Sequence, residues 1–325
     1  MKNSILYYSV GALLYCPAYN RTIASSLINE SFGNKFSLAL CLEDTINDNF
    51  VEEAENILID TIKTIHTSSK SKSFYIPKIF IRVRNPEQIK KLTELFDISK
   101  DIITGYIIPK FSLNNADKYI EEILYINKIS NKKFYMMPIL ESPTIINLKN
   151  RYDILYKLKK KLDNIEENVL NIRVGGNDLC HIFGFRRTPF ESIHNIKPVS
   201  DIFSDIITVF GKDYIISGPV WEYYSGENWD TGLKNELKED KLCGFIGKTV
   251  IHPNQIALVN RAYKVSVTDL DDAKSILNWN SDSIALVSGN IAKERMNEYK
   301  THSNWALKIL MLSEAFGTER TSDSL

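Results

Sequence analysis

The fold class that this sequence predicts is α/β, a (β/α)8 or TIM barrel with a C-terminal helical extension. Three observations predict it. Eight short apolar runs recur along the chain. They lack polar/apolar alternation, as expected of strands covered on both faces. Segments with helical spacing lie between them, which is typical of parallel βα units, and a count of eight favours a closed barrel over an open sheet.

The elements follow in order along the chain. The predicted strands are Ala12–Cys16, Ser37–Leu42, Ile79–Val83, Gly105–Pro109, Tyr135–Leu140, Leu170–Val174, Tyr214–Ser217 and Phe245–Ile251. The helical segments include Val51–His66, Pro86–Phe96, Ala116–Ile129, Tyr152–Leu162, Ile196–Phe210 and Asn254–Tyr263, and Ser68–Ser73 is expected to be an exposed loop.

The chain continues well beyond the eighth strand. We assign residues 1–264 to the barrel domain and residues 265–325 to an extension that packs on the barrel or on a neighbouring subunit. The extension is predicted to contain a helix at Leu270–Trp279 and a long helical stretch from Ile291 to Phe316. Residues from Thr318 onward are expected to be disordered.

Composition limits the classes of function. Of 325 residues, 44% are hydrophobic and 25% charged, which is ordinary for a globular protein with a large core. The 40 basic residues balance the 40 acidic ones, so we expect no nucleic-acid and no membrane partner. The four cysteines have no CxxC spacing, which favours reduced thiols and a cytoplasmic location.

Polar residues at the ends of the predicted strands are candidates for function, because catalytic residues of such barrels project from the carboxyl ends of strands. The candidates, in chain order, are Glu43, Asp44, Arg82, Arg84, Lys110, Glu141, Asn177, Asp178 and His252.

Glu141 and Asp178 follow consecutive strands and are predicted to ligate one Mg²⁺, a hard cation that takes one or two carboxylates and leaves positions for substrate oxygens. Arg82 and Arg84 lie two residues apart on one strand and therefore point to the same side, where a guanidinium can bind a substrate carboxylate. The paired glycines Gly175 and Gly176 allow close approach of the backbone, with Asn177 next to them.

Structural interpretations stand beside these assignments. Asp44 after a strand is also typical of a helix cap. A mouth arginine can be structural, and Gly175–Gly176 can be only a tight turn. The residue types alone leave these alternatives open.

Several segments, in this order, resemble the citrate lyase β-subunit-like branch of the HpcH/HpaI aldolase superfamily, and within it a divergent subgroup of TIM-barrel C–C bond lyases. They are LLYCPAYNR (13–21), LALCLED (38–44), IRVRNP (81–86), GYIIPK (105–110), MPILES (137–142), RVGGNDL (173–179) and GFIGKTVIHPNQI (244–256).

The resemblance implies a TIM barrel, a Mg²⁺ cofactor and a homo-oligomer, commonly a trimer or hexamer. It places the metal carboxylates on Glu141 and Asp178, the carboxylate-binding arginine on Arg82, and the glutamate of a D-L-E-D motif on Glu43, which would orient the reacting group. It also implies a keto-acid or acyl-thioester substrate, CoA among the carriers.

Three departures from the family pattern bear on activity. Cys41 replaces the first Asp of D-L-E-D, and Gly11–Ala12 replaces an Arg-Ser pair. The C-terminal D-G-K-M-x-D signature reads SGNIAK from Ser288 to Lys293, which leaves CoA-thioester use open. His302, just beyond, is a candidate substitute acid/base or a helix-packing residue.

The sequence therefore predicts a Mg²⁺-dependent carbon–carbon lyase that releases a keto acid from a hydroxy-dicarboxylic or hydroxyacyl-thioester substrate. The alternatives are an aldolase on free hydroxy-keto acids without CoA, and a keto-acid-binding accessory protein with reduced catalysis.

Overall fold

The computed structural model describes Lys2 and residues 4–319. Its central sheet has eight parallel strands in the order β7-β6-β5-β4-β3-β2-β1-β8. They are β1 (Ala12–Pro17), β2 (Ser37–Cys41), β3 (Lys78–Arg82), β4 (Ile103–Ile108), β5 (Tyr135–Leu140), β6 (Ile172–Val174), β7 (Ile216–Ser217) and β8 (Lys248–Val250). A parallel bridge between Gly218 and Lys248 joins the two ends of the sheet, so the fold is a TIM barrel, as predicted.

Helices follow the strands and cover the outside of the barrel. The α-helices are α1 (Ile5–Tyr8), α2 (Ile23–Ile28), α3 (Val51–Ser71), α4 (Glu87–Leu95), α5 (Ala116–Ile129), α6 (Leu148–Asp163), α7 (Gly176–Phe183), α8 (Lys197–Phe210), α9 (Trp229–Cys243), α10 (Asn254–Ala262), α11 (Val267–Leu277) and α12 (Tyr299–Phe316). Short 3-10 helices lie at Asp48–Phe50, Asp97–Ile102, Pro143–Ile145, Glu166–Asn168 and Ile193–Asn195. No described helix has the length and apolar character needed to cross a membrane.

The barrel interior changes from apolar to polar along the strands. A buried apolar cluster that includes Leu13, Ala39, Phe80 and Ile139 lies in the part of the interior nearer the amino ends of the strands. Two residues further along the same strands come Tyr15, Cys41, Arg82 and Glu141. Because side chains two apart on a strand share a face, the second set also points inward, at the carboxyl end of the barrel.

The eight strands and the barrel helices that the sequence predicted are confirmed. The expected loop at Ser68–Ser73 is wrong over most of its length, since α3 continues to Ser71. Helices α1, α2, α7 and α9 are additional to the predicted segments.

The C-terminal extension differs from the prediction in its first part. The helix expected from Ile291 begins only at Tyr299, because β10 (Val287–Gly289) and β11 (Met296–Glu298) form an antiparallel hairpin. Arg295 fixes this hairpin to α11 through bonds of 2.6 Å to Asp269 and to Asp272. These contacts between distant residues outweigh the local helical spacing.

The end of the described chain is ordered. β12 (Thr318–Glu319) pairs in parallel with β9 (Val265–Ser266), so the disorder expected from Thr318 is wrong for these two residues, and the rest of that prediction lies outside the described residues. Leu312 and Phe316 of α12 join the apolar cluster that also contains the barrel helices. The boundary between residues 264 and 265 stays a prediction.

Candidate active site

Two carboxylates meet at the carboxyl end of the barrel. Glu141 follows β5 directly and is 3% exposed, and Asp178 lies in the first turn of α7. Burial raises the pKa of Glu141 to about 8, and the charge and hydrogen bond of the neighbouring Asp178 add to the rise, while Arg82 opposes it. Two carboxylates that share a buried site in this way favour a proton or a cation between them.

Gly175 makes room for this pair. A Cβ atom at Gly175 would overlap the Glu141 carboxylate at Oε2. Gly176 has a different neighbourhood, because its Cβ would press on Ile193 and Pro219 at 2.5 and 2.8 Å. Gly175 is therefore required because the Glu141 carboxylate occupies the space of a side chain, and Gly176 because Ile193 and Pro219 do. These close contacts restrict both positions to glycine independently of any tight turn.

Arg82 lies at the centre of the acidic side chains. Its Nη2 atom is 2.7 Å from Glu43 Oε2, 2.9 Å from Asp44 Oδ2 and 3.4 Å from Glu141 Oε1. Burial alone would lower the pKa of Arg82, but Tyr15, Glu141 and Glu43 together raise it above the usual arginine value. The guanidinium is therefore fixed in position and fully charged.

Lys110 completes this side of the mouth. Its ammonium group contacts Glu43 Oε1 and lies 2.9 Å from Asp44 Oδ1, and its backbone N–H donates a 3.0 Å hydrogen bond to Glu141 Oε1. Burial and the bond with Asp44 raise the pKa of Glu43, while bonds with Glu43 and Lys110 lower the pKa of Asp44 to about 2 despite its partial burial. Of the two acids, only Glu43 has a pKa raised above its usual value.

Arg84 is bonded to the loop after β2. Its Nη1 atom donates to the carbonyl oxygens of Leu42, Glu43 and Ile46 at 3.0 to 3.4 Å, and its Nη2 atom contacts Asp48. In this structure the guanidinium therefore holds the segment that presents Glu43. Its predicted role in substrate binding stays a prediction.

Two cavities lie among the segments that follow the strands, and neither is lined by Glu141 or Asp178. One, of about 330 Å³, is lined by residues that follow β1 and β2, among them Tyr19, Thr45 and Asn47. The other, of about 300 Å³, includes Asn177 and His181 of α7. Asn177, a predicted substrate-binding residue, thus lines a cavity next to Asp178.

His302 and the altered signature lie on the extension. His302 Nδ1 accepts a 3.0 Å hydrogen bond from the backbone N–H of Glu298, and Asn290 of the signature segment bonds to Asp272 at 3.3 Å. These bonds fit a structural role, and an acid/base role for His302 stays a prediction. His252 stacks on Tyr224 with ring centroids 4.8 Å apart.

The sequence-based site omitted two side chains of the barrel interior, Tyr15 and Arg173. Burial raises the pKa of Tyr15, although Arg82 and Arg173 oppose the rise. The signal that could have found both was their register: Tyr15 lies two residues after inward-facing Leu13, and Arg173 lies two residues before the metal-pair glycine Gly175.

The residues at the mouth fit a Mg²⁺ ion. Glu141 and Asp178 supply hard oxygen ligands, and Gly175 leaves space at Glu141 Oε2. In the described part of the chain no group of three or more His, Cys, Asp or Glu side chains could hold a metal. A two-carboxylate site completed by water and substrate oxygens is a common Mg²⁺ arrangement.

A TIM barrel with charged side chains gathered at the carboxyl end of its strands has the layout typical of barrel enzymes. Residues 4–318 match the family described as C–C bond lyase of the TIM-barrel fold, and the chain belongs to that family. The resemblance drawn from the sequence segments is thereby confirmed. No curated protein sequence matches the chain.

Solved structures share the fold at low identity. CitE from Mycobacterium tuberculosis, in complex with magnesium, acetoacetate and coenzyme A, has a TM-score of 0.62 and 17% identity, with 95% of this chain and 99% of that chain covered. The citrate lyase β subunit of the same organism with oxaloacetate and magnesium has a TM-score of 0.53 and 16% identity, covering 81% and 100%. RipC from Yersinia pestis has a TM-score of 0.53 and 13% identity, covering 81% and 99%.

Proposed function

We propose that the protein is a Mg²⁺-dependent carbon–carbon lyase that cleaves a hydroxy-dicarboxylic acid or hydroxyacyl thioester and releases a keto acid. The observation that carries the proposal is the contact between Glu141 and Asp178 beside Arg82. Family membership and the magnesium present in the CitE structures support it.

In this proposal each mouth residue has a distinct task. Glu141 and Asp178 would hold Mg²⁺, which when bound supplies a Lewis acid that offsets negative charge on the keto-acid oxygens. Arg82 binds the substrate carboxylate with its fixed guanidinium. Gly175 and Gly176 let the substrate approach the backbone.

Glu43 is the group that handles the proton. It is held between Arg82 and Lys110, so its carboxylate is oriented toward the mouth. In the cleavage direction Glu43 accepts the proton of the reacting hydroxyl, the carbon–oxygen double bond of the keto acid forms, and the carbon–carbon bond breaks. The electron pair of that bond passes to the departing carbon, which takes the proton back from Glu43. Arg82 offsets the negative charge on the oxygen of the keto-acid portion from which that proton leaves.

The test uses two variants of the same shape, Glu141→Gln and Asp178→Asn. We expect each to lose Mg²⁺ binding and Mg²⁺-dependent binding of oxaloacetate in calorimetry, and to lose keto-acid release. Glu167→Gln, which removes an exposed carboxylate paired with Lys133, is the matched control and should behave as the original protein. Unchanged binding of Mg²⁺ and oxaloacetate in both mouth variants contradicts the metal assignment.

A second candidate is an aldolase on free hydroxy-keto acids, without CoA. The signature segment favours it, because residues 288–293 carry no acidic side chain and Asn290 is engaged with Asp272. Malyl-CoA, citryl-CoA and free hydroxy-keto acids, each at saturating concentration, separate the candidates by pyruvate or glyoxylate release. Metal-dependent binding with no turnover on any of them indicates the accessory protein with reduced catalysis.

We also propose that the protein is a cytoplasmic homotrimer or homohexamer. Exposed apolar side chains on and beside the hairpin, among them Ile284, Ile291 and Met296, support an oligomer. The four cysteines are free thiols, which fits a reducing compartment. Light scattering coupled to size exclusion measures the mass, and a monomer at micromolar concentration contradicts the assembly.

A further inference from the structure

Arg173 is a guanidinium buried inside the barrel, 2% exposed, on β6. Its Nη2 atom donates a 2.6 Å hydrogen bond to Thr249 Oγ1, and its other polar neighbours include the Tyr15 phenol and the Arg82 guanidinium. Its Nη1 atom is buried and has no hydrogen-bond partner among the described residues. Within the described part of the chain Arg173 forms no ion pair with a carboxylate.

The other buried arginines of the described residues are different, because each contacts a carboxylate. These pairs are Arg82–Glu43 at 2.7 Å, Arg151–Asp205 at 2.8 Å and Arg187–Glu236 at 3.3 Å. A buried charge without a counter-ion destabilises a fold strongly. Arg173 is therefore a destabilising feature for which the described residues supply hydrogen bonds but no carboxylate.

A second buried N–H group without a hydrogen-bond partner lies on the other side of Tyr15, on Arg82. The Nε atom of Arg82 is buried without a hydrogen-bond partner, and the Arg82 guanidinium carbon is 5.9 Å from the centroid of the Tyr15 ring. Arg173 contacts the Tyr15 phenol. Two guanidinium groups thus flank Tyr15, each with one buried N–H unpaired, and their like charges repel. An anion bound there would accept hydrogen bonds from the unpaired N–H groups and would offset the repulsion between the two positive charges.

We propose that Arg173, with Tyr15 and Thr249, binds a second carboxylate of the ligand, and that the substrate is therefore a short dicarboxylic acid. The proposal rests on the function proposed above, in which Arg82 and the metal pair take the first carboxylate and the keto oxygen. A carboxylate suits this place, because Nη1 of Arg173 is a charged donor without a partner and a guanidinium forms charge-assisted hydrogen bonds with a carboxylate.

The experiment compares oxaloacetate with pyruvate, which lacks the second carboxylate, by calorimetry in the presence of Mg²⁺. We expect the full-length protein to bind oxaloacetate at least about tenfold more tightly than pyruvate. Arg173→Met should remove this difference and leave pyruvate affinity and the Mg²⁺ requirement unchanged. Arg173→Lys, which keeps the charge without the fork, should restore part of the difference.

Thermal unfolding separates ligand binding from a structural role. Without ligand, Arg173→Met should be as stable as the original protein or more stable, because an unpaired buried charge is gone. Arg151→Met is the matched control: it leaves Asp205 unpaired, so it should lower Tm and keep the oxaloacetate-to-pyruvate ratio. A lower Tm in Arg173→Met together with an unchanged ratio overturns the proposal.

Two further outcomes are distinct. Phosphonopyruvate that binds more tightly than oxaloacetate, and only when Arg173 is present, overturns the dicarboxylate assignment in favour of a phosphoryl group. Pyruvate binding that needs neither Mg²⁺ nor Glu141 overturns the proposed function, and this result is independent of the ratio on which Arg173 is judged.

Discussion

Two regions of the barrel contain clusters of acidic and basic side chains: a network between β8 and α9, and the cluster at the barrel mouth. They differ in how completely the acidic side chains are paired with basic ones. In the network, Lys248 lies 2.8 Å from Glu236 and 2.6 Å from Asp240, His194 lies 2.8 Å from Asp240, and Arg187 lies 3.3 Å from Glu236. Lys248, Glu236 and Asp240 are fully buried. Each acid has two basic partners within the chain, so both carboxylates are paired without a ligand, although the Nε atom of Arg187 has no hydrogen-bond partner among the described residues.

In the mouth cluster, acidic and basic side chains are not evenly paired, and this shows at two places. Glu141 and Asp178 face each other, and the pKa of Glu141 rises to about 8 through burial and Asp178. Arg173, a few ångströms deeper in the strand register, has no carboxylate among the described residues. A balanced cluster needs no ligand, whereas an excess of acid at one point and of base at another is where we propose that a cation and an anion bind.

The largest effect should come from the balanced network. Lys248→Met leaves Glu236 and Asp240 buried beside fewer cations, and we expect a loss of about 3–5 kcal/mol in the free energy of unfolding. Lys110→Met at the mouth should cost no more than about 1 kcal/mol, because Lys110 is half-exposed. Denaturant unfolding of both variants measures the difference, and equal losses contradict the distinction between the two regions.

Magnesium affinity should depend on pH through Glu141. Its pKa rises from 4.5 to about 8 in the metal-free fold, so below about pH 8 a proton must leave before Mg²⁺ binds. We expect the apparent Kd for Mg²⁺ to increase about tenfold for each pH unit below 8 and to level off above it. Calorimetry in two buffers of different ionisation enthalpy should detect release of about one proton.

The raised pKa of Glu141 also determines whether the free energy of unfolding increases or decreases with pH. The folded state holds the Glu141 proton more tightly than the unfolded state, so the metal-free protein should lose stability as pH rises from 4.5 to about 8. Added Mg²⁺ should reverse the loss at pH 8 and above. A pH-independent Mg²⁺ affinity between pH 6 and 8 contradicts both expectations.

The two neighbouring glycines allow a smaller, more local comparison. Gly175→Ala places a methyl group on the Glu141 carboxylate, and we expect Mg²⁺ affinity to fall by about tenfold or more. Gly176→Ala meets Ile193 and Pro219 instead, so it should cost about 1–3 kcal/mol of stability and leave Mg²⁺ affinity within about twofold. Reversed effects contradict the assignment of Gly175 to the metal pair.

Much of the barrel could be predicted from the sequence because its signals are local. Most of the buried strands lie within apolar runs, and Glu141 is the first acidic residue after one of them. The hairpin before Tyr299 could not be predicted in this way, since it depends on Arg295 reaching Asp269 and Asp272 on α11. Contacts between residues far apart in sequence leave no periodicity in the chain.

The candidate site shows the same limit. Strand ends indicated Arg82 and Arg84 equally, and only the folded chain separates a guanidinium among carboxylates from one that caps loop carbonyls. The sequence does not single out Arg173, which lies within a predicted apolar strand and not at its end. Whether it has a carboxylate partner depends on three-dimensional packing.

The smallest expected effect concerns that pair of arginines. Arg84→Met removes hydrogen bonds to the carbonyl oxygens of Leu42, Glu43 and Ile46, which are partly replaced by water, so we expect a stability loss of about 1–2 kcal/mol. Because Glu43 is then held less firmly, kcat should fall severalfold while the Kd for pyruvate changes little. Arg82→Met, in contrast, should weaken pyruvate binding by about tenfold or more. If Arg84→Met weakens pyruvate as much as Arg82→Met does, Arg84 binds substrate directly, as the strand-end pattern predicted, and its bonds to the loop are rearranged when the ligand enters.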